Sequence, residues 1–182
     1  MAGVFPTVGR WASGYDRDEV DKFFDRARTA YEGGSEESMT AEDVRSAAFD
    51  LGRHGYAPAA VDSAFDRLEG AFVQRERSEY IAANGQEAWM EQVAERATTL
   101  YPRLVRPAGE RFAPPEHGRG YDRDAVDDVL DRLVDYFDSG ATLSAGELRQ
   151  ATFPVAPRAR SYGEGPVDAF LDRAVDVLLA VE

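Results

Sequence analysis

Gly14-Tyr15-Asp16-Arg17-Asp18-Glu19-Val20-Asp21-Lys22-Phe23-Phe24-Asp25-Arg26 decides how this chain is read, because its skeleton returns three more times. The pattern Val-Asp-x-x-apolar-Asp-Arg stands at Val20-Asp21 with Asp25-Arg26, and at Val61-Asp62 with Asp66-Arg67. It stands again at Val126-Asp127 with Asp131-Arg132, and at Val167-Asp168 with Asp172-Arg173. A tyrosine precedes each valine by five residues: Tyr15, Tyr56, Tyr121 and Tyr162. The first three follow Gly14, Gly55 and Gly120, and Ser161 takes that place in the fourth. Further upstream of each tyrosine lies a phenylalanine: Phe5, Phe49, Phe112 and Phe153.

The four valines are separated by 41, 65 and 41 residues. Two close pairs divided by a longer gap indicate tandem duplication of a two-motif module. The second motif of each pair carries an extra leader, Thr40 to Arg45 and Ser144 to Arg149, which the first lacks. The expected domains are therefore 1–82 for the first pair, 83–105 for a linker helix and 106–182 for the second pair.

Each motif reads as a loop followed by a helix. Gly-Tyr supplies a turn in which glycine can take a positive φ. Asp16 with Glu19 has the spacing of a capping box, as do Thr40 with Asp43 and Ser144 with Glu147. Pro58 and Pro166 fall where a first helical turn tolerates a missing N–H. Val20, Phe23, Phe24, Ala27 and Tyr31 then recur at helical spacing. A second helix is expected from Ala59 to about Ala82, stopping at Asn84-Gly85, and a linker helix from Gln86 to Tyr101, ended by Pro102. Residues 33–38 read as a short flexible acidic loop. No stretch alternates as a strand does, so the predicted class is all-α, four loop–helix repeats forming a helical bundle.

Composition narrows the function. There are 34 acidic and 21 basic residues, a net charge of −13, no cysteine and two histidines. Phosphate backbones and anionic lipid headgroups are repelled by such a charge. Thiolate catalysis, disulfides and cysteine-ligated metals are excluded. His54 and His117 have no nucleophile in a recognisable motif, and no phosphate-cradling or dinucleotide-binding loop is present. Asp16-x-Asp18 and Asp122-x-Asp124 begin like calcium loops, but the glycine and glutamate such loops require are missing. No catalytic residue, cofactor or metal is expected. With no apolar run long enough to span a bilayer, a cytoplasmic protein is expected.

The string from Gly14 to Arg26 resembles the core of the DivIVA N-terminal domain, and Gly120 to Arg132 looks like the same element. Met39 to Arg67 is similar to the whole of that domain. The resemblance implies a bacterial DivIVA-domain repeat protein, a scaffold of cell division, polar growth or envelope organisation. In that family a phenylalanine and an arginine immediately before Gly-Tyr contact the membrane. Ala12-Ser13, Arg53-His54, Gly118-Arg119 and Arg160-Ser161 stand there in this chain. Direct membrane binding is therefore not expected, and recruitment to septum or pole would depend on a protein partner.

The repeated Gly-Tyr elbows, valines and Asp-Arg pairs read first as structure, with the Asp-Arg pairs bridging repeats or flanking the buried stripe. The phenylalanines read as core anchors and Trp89 as the core of the linker helix. Trp11, Arg53, Arg119, Arg158 and Arg160 are the candidate partner-binding residues, since Trp and Arg are enriched at interface hot spots. The expected function is a non-enzymatic interaction module. The alternative is an acidic helical decoy, a nucleic-acid mimic that binds a basic protein.

Overall fold

A computed structural model of the chain describes residues 4–33 and 38–182, so most of the acidic loop read at 33–38 lies outside the described residues. The chain divides into two compact units, Met1–Glu79 and Tyr80–Glu182.

In the first unit, β1 (Ser13–Tyr15) leads into α1 (Arg17–Tyr31), followed by α2 (Ala41–Arg45), β2 (Leu51–Arg53) and α3 (Pro58–Asn84), whose last turn passes into the second unit. The Asp16 carboxylate accepts from the Asp18 and Glu19 N–H groups at 3.0 and 3.1 Å and caps α1. Glu19 does not close the expected capping box; its carboxylate accepts the Asp50 N–H at 2.9 Å and ties α1 to the approach of β2. Both leaders do close theirs, Thr40 with Asp43 and Ser144 with Glu147. Val20 and Val61 are fully buried around Tyr56. Beside them Phe23, Phe24, Phe49 and Phe65 form a ring cluster with centroids 5.0–6.1 Å apart.

The second unit adds α4 (Gln86–Thr98) and α5 (Tyr101–Leu104) before repeating the plan. There follow β3 (Arg119–Asp122), α6 (Arg123–Ser139), α7 (Ala145–Arg149), β4 (Val155–Pro157), a 3-10 turn (Arg158–Arg160), β5 (Ser161–Tyr162) and α8 (Glu164–Val181). The stretch read as a separate linker is part of this unit: Trp89 is buried and its indole N–H donates to the Ala180 carbonyl of α8 at 3.1 Å. Pro102 does not end a helix but sits in the first turn of α5, where its missing N–H leaves no bond unmade. Gly140, at φ 71°, closes α6 in the left-handed conformation.

The all-α expectation is overturned by two small antiparallel sheets, β1-β2 and β4-β3-β5. Their registers correspond. Gly14 pairs Gly52 and Tyr15 pairs Leu51 in one, while Gly120 pairs Ala156 and Tyr121 pairs Val155 in the other. Tyr15 also bridges Tyr56, as Tyr121 pairs Tyr162. Strands of two to four residues leave no alternation to detect, and each forms only by pairing with residues distant in the chain.

The Gly-Tyr glycines are also used differently from the reading above. Positive φ occurs instead at His54 (58°) and Gly118 (76°), each shortly before a Gly-Tyr. Gly14 and Gly120 are required for close approach: a Cβ on either would overlap the carbonyl oxygen of Tyr56 or Tyr162. Gly14→Ala or Gly120→Ala should therefore lower stability by about 3 kcal/mol in chemical denaturation of the whole chain, because backbone must shift. Gly52→Ala, with open space around the added methyl, should be near neutral in the same assay.

Candidate functional site

The repeated motif builds a pivot in each unit. Tyr56 is completely buried, and its hydroxyl donates to the Asp21 carboxylate at 2.9 Å and accepts the Val4 N–H at 3.2 Å. Tyr162, equally buried, donates to Asp127 at 3.0 Å and accepts the Arg111 N–H at 3.2 Å. The Arg17 and Arg123 guanidinium groups lie over these two rings, each 5.4 Å from the centroid. The leading tyrosines, Tyr15 and Tyr121, are only half-buried and rest on Phe49 and Phe153 with centroids 5.7 and 5.1 Å apart. Burial raises both phenolic pKa values, helped by the charge of Asp62 beside Tyr15 and of Asp168 beside Tyr121. Of the four phenylalanines read as anchors, only Phe112 is fully buried; Phe5, Phe49 and Phe153 are partly exposed.

The four repeat valines, Val20, Val61, Val126 and Val167, are all completely buried. Asp131 pairs with Arg111, and Arg132 reaches the leader of the next repeat, meeting Glu147 at 2.8 Å. Arg26 faces Asp43 in the corresponding leader, its charge helping to lower that carboxyl's pKa after the Thr40 hydrogen bonds. Asp16, the first residue of the supposed calcium loop, is an N-cap.

Arg111 is the residue that sequence reasoning missed. It is buried, lies against the buried Asp127 at 3.7 Å as well as Asp131, and donates to the Asp127 carbonyl at 2.9 Å. No repeat signal marks it, because the residue at the equivalent point of the first unit is the exposed Val4. The second unit thereby carries a buried charged network at the point where the first unit has the exposed Val4.

The five candidate partner-binding residues separate by unit. Arg119 and Arg158 are exposed, but each donates to a backbone carbonyl of its own unit, Val155 at 2.9 Å and Pro115 at 2.8 Å. Arg160 is exposed at the end of the 3-10 turn. Trp11 and Arg53 share one end of the first unit. Trp11 is 93% exposed with the Arg10 guanidinium 5.7 Å from its ring, in a turn closed by the Ala12 N–H on the Gly9 carbonyl at 3.0 Å. That turn runs straight into Ser13, which pairs with Arg53, and the Val8 N–H holds it to the Gly55 carbonyl at 2.9 Å. Among the described residues the Arg53 side chain has no hydrogen bond or ion pair.

Elsewhere the surface offers shallow clefts. One of about 320 Å³ in the first unit is bordered by Phe23, Arg26, Asp43 and Phe49. One of about 450 Å³ in the second is bordered by Tyr121, Phe153, Asp168 and Leu171. Among the described residues no group of three or more acidic or histidine side chains is placed to hold a metal ion, and no helix is long and apolar enough to cross a membrane. No protein-family model, curated protein or solved structure matches this chain.

Replacing Arg111 by Met should cost the chain about 3–5 kcal/mol in denaturant unfolding, because it leaves the Asp127 charge buried without its cationic partner. Acid provides a second test. Hydrogen bonds from Ser144 and the Arg132 guanidinium hold the Glu147 carboxyl below its ordinary pKa. A depressed folded-state pKa means that this stabilisation is complete above the unfolded value and is lost as pH falls through the folded one. In an NMR titration the Ser144 amide signal should therefore shift towards its unfolded value only at a pH below that at which an ordinary glutamate titrates.

Proposed function

We propose that this chain is a non-enzymatic protein-interaction module whose contact surface is the Trp11 end of its first unit. The observation that carries the reading is Trp11 itself, the most exposed large apolar side chain among the described residues, at 93%. An indole left in water with the Arg10 guanidinium 5.7 Å from its ring, two residues before the Ser13 that pairs Arg53, is the composition of an interface hot spot awaiting its partner. Burying its apolar surface would contribute about 25 cal/mol per Å². The chain's other tryptophan, Trp89, is buried by its own helices and offers nothing outward.

The process follows from the DivIVA-like strings at Gly14–Arg26 and Gly120–Arg132 alone: a role in bacterial division, polar growth or envelope organisation, reached through a partner at the septum or pole. A protein partner is favoured over an anionic membrane, which a net charge of −13 repels at long range.

Proximity labelling in the native bacterium tests this. Trp11→Ala should lose most labelled neighbours while expression and melting temperature stay unchanged; an unchanged labelling profile would overturn the reading. Complexes with a recovered partner should survive ~0.5 M salt, where the screening length is about 4 Å, because an indole contact is apolar. Collapse at that salt would favour the acidic decoy. Pelleting with phosphatidylglycerol-rich vesicles, abolished by Trp11→Ala, would make this end a membrane contact instead.

A further inference from the structure

We propose that β2 is an open sheet edge that takes an extended segment of a partner protein as an additional antiparallel strand. The segment would carry an acidic residue opposite Arg53 and an apolar residue opposite Leu51. The proposal deepens the interaction-module reading and rests on it.

The hydrogen-bond pattern shows which way β2 faces. The Asp16 N–H donates to the Asp50 carbonyl at 2.8 Å, and Tyr15 and Tyr56 exchange N–H···O bonds at 3.0 and 2.9 Å. The backbone polar groups of Tyr15 are therefore turned away from β2, and the bonded pairs between β1 and β2 are Asp16 with Asp50 and Gly14 with Gly52. Alternation along an antiparallel ladder then points the N–H and C=O of Leu51 and the N–H of Arg53 outward from the sheet. Among the described residues none of these three groups has another hydrogen-bond partner. The edge is apolar as well: the Leu51 side chain is 65% exposed.

The second unit shows the same edge closed. Pro157 occupies the register of Arg53 and has no N–H to offer. Arg119, in the register of Ser13, places its guanidinium on the outward Val155 carbonyl at 2.9 Å. Proline and a covering charged side chain are ways in which sheet edges are protected from unwanted pairing. The first unit has neither, although its sheet is otherwise built alike. An unblocked edge beside an exposed tryptophan is the arrangement that recognition by strand addition uses, in which main-chain bonds give affinity and side-chain positions give specificity.

Charge selects the occupant. Arg53, with His54 after it and Arg10 in the turn leading to Ser13, stands at one end of the edge, and Asp50 stands at the other beside Leu51. An antiparallel segment reads from the Arg53 end towards Leu51, so its order is acidic, any residue, apolar. A second copy of this chain is disfavoured, because each copy carries −13.

Panning a random twelve-residue peptide library on the full chain tests the proposal. Enriched peptides should share the acidic-x-apolar order and slow amide exchange at Leu51 and Arg53. Their affinity should fall at least tenfold in Arg53→Pro. That variant copies the second unit, where Pro157 sits at φ −61°, so the fold should keep its melting temperature. Ser13→Arg, which copies Arg119, should also weaken binding and serves if Arg53→Pro fails to fold. No enrichment, peptides that bind Arg53→Pro as well as the wild type, or a dimer that Arg53→Pro dissolves would each overturn strand addition. If Arg53→Pro keeps the cellular neighbours that Trp11→Ala loses, strand addition is wrong and the interaction module stands. If Trp11→Ala loses none, the module reading itself fails.

Discussion

Two backbones pass within touching distance where Gly14 meets Tyr56, and again where Gly120 meets Tyr162, and the rest of each unit depends on that approach. A side chain at either glycine would occupy the space of the tyrosine carbonyl. With the glycine in place, the tyrosine ring turns inward, and its hydroxyl finds a carboxylate on the helix that follows the Gly-Tyr strand, Asp21 on α1 or Asp127 on α6. A buried phenol needs such a partner, and the hydrogen bond fixes the helix relative to the crossing chain. The buried valines pack around the same ring in the first unit, Val20 from α1 and Val61 from α3. One crossing thus sets strand register, helix position and core at once.

The two units apply this plan to different ends. In the second unit three arginines turn inward on their own backbone and carboxylates: Arg111 enters the core between Asp127 and Asp131, Arg158 holds the Pro115 carbonyl, and Arg119 covers the β4 edge. In the first, Val4 stands where Arg111 would be and Ser13 where Arg119 would be, while Trp11 and Leu51 face solvent.

The helices were legible because their signals are local. Asp16, Thr40 and Ser144 cap where the spacing predicts, and the apolar stripe of α1 buries Val20 and Ala27 as a 3.6-residue period requires. The recurrence of the motif was legible because similar strings return at matching distances, and the strand registers of the two units correspond. Trp89 was readable as a core residue from its place on a helical stripe. The candidate site was half legible: Trp11 and Arg53 stood out by type, but nothing local indicated that they share one end of a unit while Arg119 and Arg158 are occupied by carbonyls of their own backbone.

By itself the sequence determined where the capped helices begin, which face of α1 turns inward and that one motif recurs, since capping, periodicity and a repeated residue pattern act within a few residues. Tertiary structure alone decided that the first Gly-Tyr segment of each unit is a strand rather than a turn and that the second tyrosine of each pair, not the first, is the buried one. It also decided that one sheet edge is closed and the other open. Each of these depends on pairing between residues some forty positions apart, such as Ser13 with Arg53, and a three-residue strand has no pattern of its own to announce the partner that makes it one.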